Sequence, residues 1–386
     1  MTGHLPEAEY AARRERLAER MDEAGFDVLF VPPSSDLEYL TGLERDLPSF
    51  GQVSYAHDWV TGAFVIPGQE PLFVLPRMFV AFHLWGDEPE RLITVNERDD
   101  GRARFREAAA SLGDVAVVGI GARTWGDTVL ELQEALPKSQ LRNGTPLVNE
   151  LRRVKSQREI DLMTIAARMC DDSMSACADK VEPGVTMVEL AEEVEHQLRF
   201  RGSRTPSFPT HIFSYGYADS HDSTMATGRD PIAEGEAVMF DFGAVHAGYC
   251  SDFGRTIVCG EPHPEYAFAY EVMLAAQEAG RAAAVPGALA SEVNAACRAP
   301  IEAAGLGEFL RHRMGHGIGL DVHEQPFISE EDTTPLEAGM TFTDEPSILW
   351  DRRFGVRIED VVMCAEGGGK TLNGLSGEMV VKRPSK

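Results

Sequence analysis

Two copies of the tripeptide Asp-Phe-Gly begin eleven residues apart in the segment MFDFGAVHAGYCSDFGRT. Apolar residues alternate with others on the first side, and HAG is a turn signal, so the segment predicts a β-hairpin. A centre between His246 and Ala247 would place Asp241 opposite Asp252. Carboxylates that face each other in this way have Cβ atoms about 5 Å apart and repel each other. The pair therefore predicts a bound cation.

A single Asp-Phe-Gly also occurs in protein kinases, where its aspartate holds magnesium. A kinase requires His-Arg-Asp ahead of that tripeptide. Here His312 and Arg313 follow it, and the third residue is Met314. We therefore set the kinase interpretation aside.

Two pairs of similar segments indicate an internal duplication. PGVTMVELAEEV begins at Pro183 and PGALASEVNAAC at Pro286, while PIAEGEAVMFD begins at Pro231 and PLEAGMTFTDE at Pro335. The two offsets are 103 and 104 residues. We expect each half to consist of a helix pair followed by a strand pair.

The duplication predicts a second pair of facing acids. Glu345 in FTDEPSI and Glu359 in GVRIEDVV are symmetric about Arg352, so they can face each other across another hairpin. Glu345 also lies 104 residues after Asp241. Carboxylates that converge from two such hairpins cannot all remain ionised without bound cations.

The segment HRMGHGIGLDVHEQP offers a nitrogen ligand, for which we choose His316. An oxygen-rich set with one imidazole suits manganese better than a structural zinc ion. Carboxylates that can bridge fit two ions about 3.5–4 Å apart. Any one of these residues is more often a surface acid, a turn cap or a structural histidine. The hairpin symmetry and the repeat together favour the metal site.

The elements that must position these residues fall into two predicted domains. Residues 1–150 have an α/β pattern, with a helix ending at Gly25 and the strand-like runs DVLFVP, GAFVIP, PLFVLP and DVAVVGIG. The second domain, residues 151–386, opens with a capping box of Ser156 and Glu159. EGGGKT lacks the first glycine of a phosphate loop and predicts a hairpin turn.

The composition of the chain limits the kinds of molecule that it is expected to bind. The chain of 386 residues has 62 acidic and 36 basic residues and a formal charge of −26, which argues against nucleic acid and anionic membranes. Its six cysteines form no CxxC pair and are predicted to be reduced core residues. No apolar run approaches the roughly 18 residues of a membrane span, so we expect a cytoplasmic protein.

These motifs resemble the creatinase, prolidase and methionine-aminopeptidase superfamily, and specifically its Xaa-Pro peptidase branch. The resemblance covers nearly the whole chain. It rests on VPPSSDLEYLTG, LRRVKSQREI, DFGAVHAGYCSDFGRT, GHGIGLDVHEQP, DEPSI and RIED. It implies an α/β (α+β) fold, with a creatinase-like N-terminal domain over residues 1–150 and a pseudo-twofold pita-bread catalytic domain over residues 151–386.

The resemblance also implies a ligand set. Asp241 would bind one ion, Asp252 and Glu359 would bridge two, and His316 and Glu345 would complete the second. Two divalent ions per chain are implied, with manganese expected and cobalt or zinc as alternatives, in a homodimer.

Further roles follow from the same resemblance. His221 corresponds to a histidine beside the substrate, His323 to one that stabilises the tetrahedral intermediate, and Arg357 to a residue that orients Asp252. Glu345 would also carry a proton to the departing proline nitrogen. One position departs from the motif Ser-Asp-X-Thr-Arg-Thr. Gly254 replaces the first threonine and removes a hydroxyl near the metals.

The predicted activity is hydrolysis of small peptides with proline in the second position, as an Xaa-Pro dipeptidase. A dipeptidase needs a cation for the proline carboxylate, and Arg229, Arg353 and Arg357 lie in segments next to the metal motifs. Three alternatives stay open: an aminopeptidase for longer peptides, a sister enzyme for a non-peptide amide, and a binding module. The intact ligand set argues against the binding module.

Overall fold

The chain forms two compact units, residues 1–152 and 153–386. The computed structural model describes residues 5–45, 55–84, 86–215, 228–350 and 354–383. Each unit is built from helices packed against β-sheet, so the predicted α/β class is confirmed.

The first unit is a mixed six-stranded sheet in the order β4-β3-β2-β1-β5-β6. Its core contains Phe30, Phe64 and Phe105, which pack edge to face or tilted against one another. The strands are β1 Val28–Val31, β2 Gly62–Val65, β3 Leu72–Pro76, β4 Leu92–Val95, β5 Val117–Ile120 and β6 Gln140–Asn143. The helices are α1 Glu7–Ala24, α2 Ser35–Thr41, α3 Arg77–Phe79, α4 Gly101–Ala110, α5 Gly126–Ala135 and α6 Thr145–Arg153.

The end of α1 follows from one glycine. Gly25 adopts φ 69°, and its N–H donates to the carbonyl of Asp22 at 3.1 Å. This left-handed conformation closes a helix at little cost only for a residue without Cβ. The predicted helix end is confirmed.

The second unit consists of two similar halves. The first half contains α7 Gln157–Cys177, α8 Met187–Phe200, β7 His211–Tyr215, β8 Ala237–Phe242, β9 Val245–His246, β10 Tyr249–Cys250 and β11 Phe253–Cys259. The second half contains α9 Pro264–Ala283, α10 Ala290–Ala303, β12 Gly315–Gly317, β13 Glu324–Ile328, β14 Thr341–Asp344, β15 Ser347–Trp350, β16 Phe354–Arg357, β17 Asp360–Met363 and β18 Lys370–Thr371. The last strand, β19 Val380–Lys382, pairs in parallel with β11.

Equivalent backbone contacts in the two halves confirm the predicted duplication. The N–H of Gly184 donates to the carbonyl of Ile232 at 2.8 Å, and the N–H of Gly287 donates to that of Leu336, also at 2.8 Å. The glycines have φ values of 96° and 90°. In each half, the turn before the second helix is therefore hydrogen-bonded to the segment that precedes a strand of the predicted metal site, β8 in the first half and β14 in the second.

Two sheets of the second unit meet near the metal motifs. One has the order β19-β11-β8-β7 and the other β13-β12-β14-β17-β18. Gly254 and Glu359 join them by reciprocal backbone hydrogen bonds of 3.2 and 3.0 Å. This contact brings the acids of the two halves to one place.

Other predictions from the sequence are also confirmed. Ser156 and Glu159 form the capping box of α7, and EGGGKT contributes the hairpin turn after β17 together with strand β18. All six cysteines are buried and free. Among the residues that the structure describes, no helix is long and apolar enough to cross a membrane.

Candidate active site

The first predicted hairpin forms, but its register is two residues away from the predicted one. Ala247 and Gly248 occupy the turn with φ values of 51° and 81°, as in a type I′ turn. Asp241 therefore pairs with Gly254 instead of Asp252. Because side chains alternate with a period of two, this shift keeps both carboxylates on one face as diagonal neighbours.

The second predicted hairpin has the expected register. In one ladder Ser347 lies opposite Arg357. In the adjoining ladder Asp344 lies opposite Asp360. Glu345 and Glu359 lie between these two ladders. Their residue numbers are symmetric about position 352, as are those of the paired residues in both ladders.

A buried cluster joins acids from both hairpins to His316. One ligand atom from each of Asp252, His316 and Glu359 lies within 4.8 Å of the other two. His316 Nε2 is 3.5 Å from Asp252 Oδ2 and 3.4 Å from Glu345 Oε1. The structure thus brings together residues that are up to 107 positions apart in the sequence.

Asp241 joins this cluster through Arg357. The Nη1 group of Arg357 forms an ion pair with Asp241 Oδ2 and lies 3.7 Å from Glu359 Oε2. The carboxylate that Arg357 contacts most closely is therefore Asp241, which differs from the predicted partner, Asp252. The neighbouring acids raise the pKa of Arg357 although burial opposes them, so its positive charge is permanent.

The electrostatics of the cluster suit a divalent cation. Burial raises the pKa of Glu359 well above its ordinary value, and the charges of Asp252 and Glu345 add to the effect. Within the described residues, Asp252 Oδ1 and Glu359 Oε2 are buried and have no hydrogen-bond partner. Buried carboxylate oxygens of this kind are costly unless a cation or proton satisfies them. Two carboxylates and one imidazole form a donor set that can hold a hard or borderline metal ion.

Backbone and side-chain contacts orient His316. Its Nδ1 lies 3.1 Å from the Gly317 carbonyl, so an Nδ1–H that donates there leaves Nε2 facing the acids. Its backbone N–H donates to Thr343 Oγ1 at 3.0 Å, and the Thr343 hydroxyl donates to Glu345 Oε1 at 3.1 Å. Carboxylates of Asp252 and Glu345 raise the pKa of His316 although burial opposes them. Thr343 has no motif signal, and sequence reasoning missed it.

His312 is a second residue that sequence reasoning missed. Its Nδ1 lies 2.6 Å from the Arg313 carbonyl, while its Nε2 lies 3.3 Å from Arg357 Nη2 and also contacts the Ser347 hydroxyl. Burial lowers the pKa of His312, so a neutral ring can accept from Arg357. The sequence did contain a signal for His312, because it lies four residues before His316 in HRMGH.

His323 lies beside the cluster. Its ring centroid is 4.1 Å from that of His316, and the residue is exposed. Burial of part of the ring lowers the pKa of His323, and the charge of His316 lowers it further. A neutral histidine next to a metal site can donate a hydrogen bond to a substrate.

The structure gives a steric reason for glycine at position 254. A Cβ there would lie 2.9 Å from Glu359 Cβ and 3.0 Å from Glu359 Oε2. The reciprocal backbone hydrogen bonds between the two residues hold them this close. A side chain at position 254 would require Glu359 to move.

Two predicted residues, His221 and Arg353, lie outside the described residues. Arg229 is described and is exposed.

The metal-free protein is expected to lose stability as the pH rises from about 4 to about 7. Burial raises the pKa of Asp241 from 3.8 to about 7. A raised pKa in the folded state stabilises the fold fully below the unfolded value and loses that effect as pH passes the folded value. Thermal unfolding in chelator at several pH values measures this loss. Asp241→Asn in chelator should show a flatter profile, and an equally steep one would contradict the assignment.

Both parts of the chain match known protein families. Residues 13–154 match the creatinase/prolidase N-terminal domain, and residues 161–366 match metallopeptidase family M24. The chain is 30% identical to an Xaa-Pro dipeptidase of Pyrococcus furiosus, over 95% of this chain and 99% of the relative. It is 32% identical to a probable dipeptidase PepE of Mycobacterium tuberculosis, over 97% of each.

A solved structure shows the same fold. A dipeptidase from Pyrococcus horikoshii superposes with a TM-score of 0.85 at 30% identity, and the match covers 96% of this chain and 100% of that one. The predicted pita-bread fold with a creatinase-like N-terminal domain is confirmed. The buried cluster of acids and histidine, the fold and the relatives all point to one family. This chain belongs to metallopeptidase family M24.

Proposed function

We propose that this protein is an Xaa-Pro dipeptidase, which hydrolyses the bond between the first residue and proline in a dipeptide. The observation that carries the proposal is the buried cluster of Asp252, His316 and Glu359, whose carboxylates have oxygen atoms without a hydrogen-bond partner in the described part of the chain. The relatives named Xaa-Pro dipeptidase support the substrate class.

Five residues would hold two divalent ions in this site. They are Asp241, Asp252, His316, Glu345 and Glu359. We propose manganese as the resident metal, with cobalt or zinc as alternatives, because oxygen ligands dominate the set. When bound, such ions polarise a carbonyl group and lower the pKa of water.

Residues of the chain would then move the protons. The departing proline nitrogen carries no hydrogen of its own, so it must gain a proton when the bond breaks. We assign this transfer to Glu345, which would take the proton from the attacking water and pass it to the nitrogen, and whose Oε1 is held by the Thr343 hydroxyl at 3.1 Å. The fixed oxygen sets the direction in which the second oxygen, Oε2, can reach the substrate.

His323 and His221 would act on the substrate itself. We assign His323 to the oxyanion that forms at the scissile carbonyl, because its ring lies 4.1 Å from that of His316 and such donors act where charge develops. His221 would lie beside the substrate, an assignment that rests on the motif YADSHDST. Arg357 would hold Asp241 in place through their ion pair.

We also propose a cytoplasmic homodimer whose domains cover residues 1–150 and 151–386. The division into units at residue 152 supports this boundary. The six free and buried cysteines support a reducing compartment, and the dimer rests on the family resemblance. The formal charge of −26 supports small-molecule substrates over nucleic acid.

Substrate comparison tests the proposed activity. We expect the manganese-loaded enzyme to cleave Leu-Pro with a kcat/KM about tenfold or more above those for Leu-Pro-Ala and Leu-Pro-amide. The reason is that an unpaired buried charge costs about 2–5 kcal/mol when its carboxylate partner is missing. Equal or better cleavage of the tripeptide would identify an aminopeptidase. If the enzyme cleaved only non-peptide substrates such as cyclic amidines, it would be the sister hydrolase. Removal of the metal with a chelator should abolish any of these activities.

A further inference from the structure

A dipeptidase needs a cation close to its metal cluster. The scissile carbonyl carbon and the proline carboxylate carbon of an Xaa-Pro substrate are no more than about 4 Å apart. In a chain of net charge −26, a free carboxylate would be repelled unless a positive side chain stood there. Of the arginines that the sequence suggests, Arg357 is paired with Asp241 and Arg229 is exposed.

Arg313 occupies the required place. It lies on the segment before β12, between His312 and Met314, and three residues ahead of His316. Its guanidinium carbon is 4.8 Å from the centroid of the Phe327 ring. The guanidinium group therefore rests on strand β13.

The strand register places this group on the side of the metal cluster. Phe327 is the cross-strand partner of His316, and cross-strand partners point their side chains to the same face of a sheet. His323 is on that face as well, since its ring lies 4.1 Å from that of His316. Arg313 thus stands one side-chain layer away from a proposed metal ligand.

Among the described residues, the charge of Arg313 has no acidic partner. No carboxylate in those ranges forms an ion pair with it, and its buried Nε has no hydrogen-bond partner there. Two other arginines of the unit differ, because Arg255 pairs with Asp360 at 2.7 Å and Arg357 pairs with Asp241.

We propose that Arg313 binds the proline carboxylate of the substrate and thereby restricts the enzyme to dipeptides. The proposal rests on the proposed Xaa-Pro dipeptidase function. Stacking on Phe327 fixes the plane of the guanidinium group, while its edge keeps N–H donors for the two carboxylate oxygens. Such paired hydrogen bonds give both attraction and orientation.

The test compares Arg313→Met with the wild type on Leu-Pro and Leu-Pro-amide. We expect kcat/KM for Leu-Pro to fall by about tenfold or more, mainly through KM. The value for Leu-Pro-amide should stay within about twofold, because the amide has no charge to bind. Arg313→Lys should keep part of the preference for the dipeptide, since it retains the charge but not the fork.

Arg311→Met is the matched control. Arg311 is exposed, lies two residues away, and donates to the Glu308 carbonyl at 2.8 Å, so the substrate ratio should not change. If Arg313→Met does not fold, Arg313→Gln replaces it in the same comparison. Metal content and circular dichroism establish that each variant is intact.

The outcomes separate this proposal from the function on which it rests. A wild-type enzyme that does not cleave Leu-Pro rejects the dipeptidase function and Arg313 with it. A wild type that prefers Leu-Pro, together with an Arg313→Met enzyme of unchanged preference, rejects Arg313 alone. If Arg353→Met lost the preference for Leu-Pro over Leu-Pro-amide and Arg313→Met kept it, Arg353 would be the residue that binds the proline carboxylate.

Discussion

Asp252→Asn is expected to give a folded protein without measurable peptidase activity. The exchange keeps the shape of the side chain but removes a negative charge from a buried cluster in which Asp252 lies 3.5 Å from His316 Nε2. A metal ion supplies several kcal/mol of transition-state stabilisation, so its loss or displacement should lower kcat/KM by about 10³-fold or more. Assays with Leu-Pro and metal analysis of the purified variant measure both effects.

The unfolding temperatures of the metal-free proteins test the same cluster independently of activity. Without ions, Asp252 repels Glu359, whose pKa is raised by burial and by that charge. Metal-free Asp252→Asn should therefore unfold at a higher temperature than metal-free wild type, while added Mn²⁺ should stabilise the wild type more. Asp230→Asn, at an exposed position, serves as the control and should change neither property. Full activity in Asp252→Asn would refute the proposed metal site.

His323→Ala is expected to lower kcat by about 10²–10³-fold while the metal content remains that of the wild type. Removing a single donor to a developing oxyanion has an effect of this size. His323 is not one of the five proposed ligands, since its assigned role is to donate to the oxyanion, so the ions should remain bound. Steady-state kinetics and metal analysis on the same preparation separate the two properties.

The matched control for this variant is His196→Ala, on the exposed side of α8. It should leave kcat, KM and metal content unchanged. If His323→Ala lost its metal and kept the wild-type turnover per bound ion, His323 would be a ligand and the assigned role would be wrong.

The sequence alone determined the types of residue in the site and the duplication that brings them together. The two offsets of 103 and 104 residues indicated that Glu345 is the counterpart of Asp241, and the symmetry of the second hairpin predicted its register. Both features depend on local patterning, because turns and strand alternation are set by neighbouring residues. The same patterning placed Asp241 and Asp252 on one face even though the predicted register was two residues off.

Only the tertiary structure decided which groups meet within the site. The turn at Ala247 and Gly248 set the first register, because a type I′ turn requires positive φ at both central residues. The contacts of Arg357 with Asp241, of Thr343 with Glu345 and of Arg313 with Phe327 depend on side-chain direction and on packing between strands. Arg357 and Asp241 are 116 residues apart, and no local pattern encodes which carboxylate an arginine at that separation will reach.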